Sequence, residues 1–260
     1  RALVGGFLQN ELEALPGLIL SAGIRHDRAA YRIVEILEDD FGNTTKLPVF
    51  EPTHSIWSPR FGVLYRLTEQ ASLYASWSRG FRFPNLAETS GVLTVNPEVE
   101  PQRSQGFELG AKVRSERFRG NLTLYRMDVL DEIVANSSVL FTFANFFPPP
   151  ATITFAGVQT VNLDRVRHQG IETSASFDVC EWLEVHGHYT WDDTRVRRDD
   201  VTDLDSNRVP ITPRHRGGAG VLTRLPYWIE IGVDYLWVGR RGAINDFGED
   251  IEKLDDYGRW

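Results

Sequence analysis

Along most of its length the chain repeats one unit, a run of about ten residues in which apolar and polar side chains alternate, closed by a short polar turn or a long irregular loop. Successive side chains of an extended strand point to opposite faces, so this period of two specifies sheets with one apolar and one polar face. Ile229, Ile231, Val233, Tyr235 and Trp237 fall on one face of a run that puts Glu230, Gly232 and Asp234 on the other. Phe107, Leu109, Ala111 and Val113 likewise oppose Glu108, Gly110 and Lys112, and Ile171, Ala175, Phe177 and Val179 oppose Glu172, Ser174, Ser176 and Asp178. Leu183, Val185, Tyr189 and Trp191 oppose Glu184, His186 and His188, and Phe118, Leu122 and Leu124 oppose Arg119, Asn121 and Thr123. A register slip of one residue would exchange the faces of every such strand.

The 260 residues are 42% hydrophobic with a mean hydropathy of -0.28, and no stretch approaches the ~20 apolar residues of a membrane helix. Membrane residence, for this chain, means a barrel, whose strands turn only every second residue to lipid and so keep the average polar. Aromatic residues make up 12% of the chain. Trp77, Trp182, Trp191, Trp228 and Trp237 lie near strand ends, as in an interfacial girdle, but a soluble β-sandwich also uses aromatics, and composition leaves both open. A net charge of -8, without any Lys/Arg run, argues against a nucleic-acid surface. Cys180 is the only cysteine, which excludes a disulfide framework and reads as a small residue in a turn. The chain begins at Arg1, its one methionine is Met127 and no leader precedes the first strand. The expectation is a piece of a longer protein, with residues 253–257 approaching a further strand.

Connection lengths decide between barrel and sandwich. Short connections at 67–70, 115–117, 178–182 and 225–227, with a slightly longer one at 10–17, interleave without exception with long ones at 27–56, 79–103, 128–167, 192–214 and 239–255. An up-and-down barrel segregates tight turns to one rim and loops to the other, whereas a sandwich has no reason to. About ten strands are expected, at 3–9, 18–25, 60–67, 71–78, 104–114, 118–127, 168–177, 183–191, 215–224 and 228–238. The fold class is therefore all-β, an antiparallel up-and-down transmembrane β-barrel segment without a separate domain or linker.

Several motifs carry a family resemblance. Ser58-Pro-Arg-Phe-Gly-Val-Leu-Tyr-Arg-Leu-Thr-Glu is followed by Leu73-Tyr-Ala-Ser-Trp-Ser-Arg-Gly-Phe-Arg, then by Asn96-Pro-Glu-Val-Glu-Pro-Gln-Arg-Ser-Gln-Gly-Phe-Glu-Leu-Gly110. Tyr125-Arg-Met-Asp-Val-Leu-Asp-Glu-Ile, Arg167-His-Gln-Gly-Ile-Glu172 and Val209-Pro-Ile-Thr-Pro-Arg-His215 continue in order. Together they resemble the C-terminal barrel half of TonB-dependent outer-membrane receptors of the ferric-siderophore class, over roughly residues 1 to 257, with Gln102 where that family usually has Glu. The resemblance implies a segment of a barrel of about 22 strands in the outer membrane of a Gram-negative bacterium, with short turns in the periplasm and long loops outside. It implies active import of a ferric siderophore or related metal chelate with energy relayed by TonB. The partners implied are that chelate, outer-membrane lipid, and the TonB complex through an N-terminal part. No cofactor is implied, iron entering only as part of the transported chelate. The plug domain, the TonB-contact segment and the final strands are expected outside these 260 residues. A passive porin-like channel, a soluble carbohydrate-binding β-protein, or import of cobalamin, haem or a saccharide are the rival readings.

No catalytic constellation is read, and an enzyme is not expected. His168 with Glu172, or His186, His188 and Asp192, share strand faces at a spacing that suits metal or acid–base work, but a polar interior face is expected of a barrel and they read as lining that hydrated interior beside Glu184. Asp199, Asp200, Asp203 and Asp205, and Asn245, Asp246, Glu249 and Asp250, offer hard oxygens to calcium but match no calcium motif and read as solvated loops. Arg66, Arg114, Arg126 and Arg224 near strand ends serve as interior or headgroup contacts. Ligand contacts are expected in the external loops: Phe81 and Phe83 after a strand end, Phe141, Phe143, Phe146 and Phe147, with Phe155, around Pro148-Pro-Pro150, and Arg79, Arg82 and Arg103 nearby. Aromatic faces grip aryl chelators and guanidinium groups attract an anionic complex. Packing of those phenylalanines among loops is the equal alternative.

Overall fold

In the computed structural model, residues 1–34, 36–38, 44–46, 49–89, 99–143, 153–198, 206–243 and 252–259 are described, with backbone alone for 36–38, 45, 86–87, 135–143 and 153–159. The strands are β1 (Ala2–Leu15), β2 (Leu18–Ala30), β3 (Ile36–Glu38), β4 (Thr44–Lys46), β5 (Thr53–Arg66), β6 (Ala71–Arg82), β7 (Gln102–Arg114), β8 (Phe118–Phe143), β9 (Ile153–Cys180), β10 (Leu183–Arg198), β11 (His215–Leu225), β12 (Ile229–Val238) and β13 (Tyr257–Arg259). A single turn of helix, α1 (Leu86–Thr89), follows β6. Eleven strands form one sheet in the order β1-β2-β5-β6-β7-β8-β9-β10-β11-β12-β13, and β3 and β4 form a separate hairpin in the loop between β2 and β5. Every neighbouring pair is antiparallel. The sheet is an up-and-down meander in which each strand follows its sequence neighbour.

Register carries the alternation of each strand across the whole wall. Leu73 pairs with Ala111, Ala111 with Leu122 and Leu122 with Thr173; Trp77 pairs with Phe107; Val185 pairs with Phe177 and Val221, and Val221 with Val233. These side chains share one face, and Leu109, Leu122, Ile231 and Val233 are exposed on it. A soluble monomer does not leave a continuous apolar face of this extent in water. Lipid covers this face.

The opposite face is polar, and its long side chains reach past their neighbours. Tyr74 on β6 crosses β7 to hydrogen-bond Thr123 on β8 at 2.6 Å. Tyr125 on β8 crosses β9 and donates to Asp192 on β10 at 2.5 Å, and His186 on β10 crosses β11 to Asp234 on β12 at 2.7 Å. Arg60 on β5 crosses β2 to Gln9 on β1. Each crossed strand has a glycine beneath the bridge, Gly110, Gly170, Gly220 and Gly23, and a Cβ there would run into the side chain lying over it. Side chains that span two strand spacings belong to a concave face, so the polar face is the barrel interior.

Turn chemistry sets the short rim. Pro16 and Gly17 close β1 onto β2, with Gly17 at φ 81° as the third residue of a Pro-Gly turn demands. Thr68 accepts the amides of Gln70 and Ala71 at 3.1 and 3.0 Å, and Ser115 that of Phe118 at 3.1 Å. Departures from expectation occur at this rim, where residues 178–180, expected in a turn, end β9 with Cys180 paired to Leu183. Residues 10–15 continue β1 instead of forming a turn, and Trp228 sits in the β11–β12 turn rather than in a strand, with Tyr227 and Trp228 both left-handed at φ 66° and 67°. At the long rim β8 and β9 extend far beyond the expected wall as a paired hairpin reaching Phe143 and Ile153. The expected approach to a further strand ends in β13.

A one-layer wall has little interior of its own. The small buried clusters lie toward the long-loop rim, Leu163, Val166 and Val196 in one and Ala29, Tyr31 and Ile33 in the other.

Candidate functional site

The interior face near the long-loop rim gathers the side chains able to meet a ligand entering from that side. Arg82 ends β6 on the interior face, in register with Gln102. Its guanidinium pairs with Glu88 at 2.7 Å and donates to the Gln102 amide oxygen and the Ile133 carbonyl, both at 3.4 Å. Glu88 belongs to a reciprocal cap of α1: Asn85 Oδ1 accepts the Glu88 amide at 3.0 Å while Glu88 accepts the Asn85 amide at 2.8 Å. The Asn-x-x-Glu spacing is a legible helix-start signal within a stretch that alternation alone leaves as loop.

Beside Arg82, the Phe83 ring lies tilted against Phe81 and His54, with ring centroids 4.8 Å and 6.3 Å apart, and packs on the Ala29, Tyr31 and Ile33 cluster. Tyr31 donates to the Pro84 carbonyl at 2.9 Å, and burial raises its hydroxyl pKa above the ordinary tyrosine value. This keeps the donor protonated and ties the chain after β2 to the chain after β6.

A second interior group follows a break in alternation. Asp131 is left-handed at φ 56°, and beyond it Glu132 reaches His168 on the interior face at 3.2 Å. His168 contacts Thr194 at 3.1 Å, Thr194 donates to Asp192 at 2.5 Å, and Asp192 accepts from Tyr125. The five side chains form a polar relay across β8, β9 and β10. At the short rim Glu184 receives Arg224 at 2.8 Å and Arg119 at 3.0 Å, with Asp178 at 3.9 and 3.8 Å from the same two arginines. The histidines at 168, 186 and 188 all face the interior, but no three His, Cys, Asp or Glu side chains converge on a metal position among the described residues.

The expected ligand residues divide by face. Arg82 and Phe83 belong to the interior rim. Arg79 and Phe81 continue the outward face of Trp77, and Arg103, register partner of Phe81, shares it. Phe141 and Phe143 lie on the tip of β8 opposite Phe155 and Ile153 of β9, as backbone positions. Phe146 and Phe147, the Pro148-Pro-Pro150 loop and both acidic loops at 199–205 and 245–250 lie outside the described residues.

The architecture has clear counterparts. The profile of the family described as TonB dependent receptor-like, beta-barrel, matches residues 2–260. The metal-pseudopaline receptor CntO of Pseudomonas aeruginosa is 25% identical over 206 residues, 77% of this chain and 26% of that protein. The chain thus spans about a quarter of the length of its curated relative. Among solved structures, the copper transporter OprC superposes with a TM-score of 0.71 at 19% identity, over 98% of this chain and 38% of that one. The ferric-catecholate import receptor Fiu from K12 E. coli gives 0.71 at 18%, over 98% and 37%, and the ferric yersiniabactin uptake receptor FyuA from Yersinia pestis 0.70 at 14%, over 98% and 36%. With the profile spanning nearly every residue and the wall's apolar face turned to lipid, the chain belongs to the TonB-dependent receptor β-barrel family of Gram-negative outer-membrane proteins.

Proposed function

We propose that the protein containing this chain is an outer-membrane receptor that captures a ferric siderophore at its external rim and imports it with energy relayed through TonB. The chain supplies part of the wall and rim. The observation that carries this reading is the family match over residues 2–260. The interior rim supports it with an anchored cation, Arg82, and an aromatic surface built by Phe83, His54 and Tyr31, beside the tall β8–β9 hairpin that carries Phe141 and Phe143. Anionic aryl chelates are gripped by such groups through charge-assisted hydrogen bonds and ring stacking. Phe146 and Phe147, which follow Phe143 in the sequence and lie outside the described residues, are further proposed ligand contacts. Capture at the rim is followed by a binding-linked change in the plug, which TonB then pulls; only capture falls to these residues.

A chelate of another metal is the second reading, favoured because one relative is a metal-pseudopaline receptor and one structural counterpart a copper transporter. Uptake and equilibrium binding by the full-length receptor, in cells with and without TonB and across iron, copper and zinc chelates, separates the two. TonB-dependent accumulation of an iron chelate establishes the first, and of a non-ferric chelate alone the second. Entry indifferent to TonB refutes both and indicates a passive pore. Arg82→Ala should weaken chelate binding by roughly 5- to 30-fold, the loss of one or two charge-assisted hydrogen bonds. Unchanged affinity removes Arg82 from the rim site.

A further inference from the structure

The outward face changes character at one level. On β6 the outward series Leu73, Ala75 and Trp77 gives way to Arg79, and on β8 Leu122 and Leu124 give way to Arg126. On β9 the series from Phe177 to Ile171 gives way to Gln169, Arg167 and Arg165, and on β7 Phe107 is followed outward by Gln105 and Arg103. The register aligns these changes: Trp77 pairs with Phe107, Phe107 with Arg126, and Arg103 with Leu130, which pairs with Arg165. A row of arginines therefore stands directly beyond the aromatic edge of the lipid-covered band, outside the barrel.

The row encloses a concavity of about 540 Å³ whose lining includes Trp57, Arg79, Arg103, Gln105, Asp128 and Arg165. Its one carboxylate, Asp128, already has three arginines around it, Arg167 at 2.8 Å, Arg165 at 3.4 Å and Arg126 at 3.6 Å. Arg79 lies over the Trp77 ring at 5.7 Å, and neither Arg79 nor Arg103 makes an ion pair among the described residues. The hollow thus carries an excess of positive charge. The short-turn rim lacks this arrangement: Arg66, Arg114, Arg119 and Arg224 all take interior register positions, opposite Ser72, Arg119, Ser176 and Glu230. Outward cations are concentrated at the loop end of the wall.

We propose that this concavity docks the phosphate-bearing headgroup of a lipid of the outer leaflet. Three observations select that occupant. The site continues the lipid-covered face, so an acyl chain lying on Phe107 and Trp77 delivers its headgroup to Arg79 and Arg103. Guanidinium groups match phosphate oxygens through paired hydrogen bonds, and the single carboxylate leaves room for added negative charge. Arg79 and Arg103 occupy outward register positions, turned from a ligand inside the barrel, although the charge of Arg103 still acts on His54 and Asp131.

The test uses the full-length receptor in detergent micelles, titrated with bis-phosphorylated lipid A and with the same lipid after removal of its phosphates. Heat-modifiable migration first verifies that each variant is folded. Wild type should bind the phosphorylated lipid at least 10-fold more tightly than the dephosphorylated one, and less tightly as salt rises. The Arg79→Gln/Arg103→Gln pair, which breaks no ion pair among the described residues, should lose at least 10-fold of that affinity, while Arg103→Lys should lose less. Equal affinity for the two lipids, or an unaltered affinity in the folded double variant, overturns the proposal. So does displacement of the lipid by millimolar inorganic phosphate, which would make the hollow a site for free anions. A fall in metal-chelate binding with lipid affinity intact would also overturn it, returning the arginines to the transported ligand.

Discussion

Leu122→Arg tests the assignment of faces most sharply. From Phe118 at the short turn to Arg126, where outward cations begin, β8 advances about eight residues; at ~3.4 Å per residue and a tilt of ~40° the rise is roughly 21 Å. That nearly fills the ~25 Å apolar band of an outer-membrane barrel and places Leu122 at its centre. An arginine on the lipid face at the midplane costs about 2–4 kcal/mol, a factor of roughly 30 to 1,000 in the folding equilibrium. The chain provides its own contrast at the same depth, because Lys112, next to Leu122's partner Ala111, is a native cation turned inward with its amine 5.1 Å from the Tyr74 ring. Ser174→Arg places a new cation at that level on the interior face, in register with Asn121 and His188, and should cost under about 1 kcal/mol. Phe118→Arg, near the interface, should fall in the same low range. The full-length receptor, folded into lipid vesicles and unfolded by a denaturant series, gives the free energies by linear extrapolation. Equal costs for Leu122→Arg and Ser174→Arg would refute the assignment of lipid and interior faces.

The interior bridges make a second test: Gly110→Val drives a side chain into the Tyr74 ring and removes its hydrogen bond to Thr123, an expected loss of about 1–3 kcal/mol in the same titration. Gly232→Ser, whose new Cβ meets only Leu222 Cδ1 at 3.8 Å and the Val221 carbonyl at 4.0 Å, should change stability by no more than about 0.5 kcal/mol. At the short rim, Tyr227→Asn with Trp228→Gly replaces two left-handed aromatic residues by the pair such turns favour, and should raise stability in detergent micelles by about 1 kcal/mol. A loss of stability there would show that the exposed Tyr227 and Trp228 rings contribute more by contact than their backbone costs.

The wall was legible where lipid enforces the period of two. Every strand expected from alternation is present, because a single layer between lipid and an aqueous interior must keep apolar and polar residues on opposite sides throughout the band. Beyond Arg126 the outward face has left the hydrocarbon, both faces meet polar surroundings and the constraint lapses, so β8 and β9 run on through sequence that reads as loop, with Asp131 left-handed within it. The β3–β4 hairpin was missed for the same reason. Partner choice was equally hidden: His168 and Glu172 share a strand face, but the His168 side chain meets Glu132, 36 positions away, although the register sets His168 opposite Met127. The bridges over Gly110, Gly170 and Gly220 depend on three strands at once, which no local pattern encodes.

The arginines show how far a simple rule reaches. Arg79 and Phe81 read as the start of a ligand loop because the apolar run stops at Trp77, yet parity alone continues them on Trp77's outward face, and the pairing of Phe81 with Arg103 brings the next strand into line. The end of an apolar run therefore marks a change of surroundings along one face, from hydrocarbon to headgroup, before it marks the end of a strand. Arg82, one residue on, takes the other face and is the member of the group aimed at the interior, held by Glu88 of the capped helix. Arg79 and Arg82, three residues apart and alike in charge, thus take opposite faces, one at the proposed headgroup hollow and the other at the proposed rim site, and substituting each alone distinguishes the two environments.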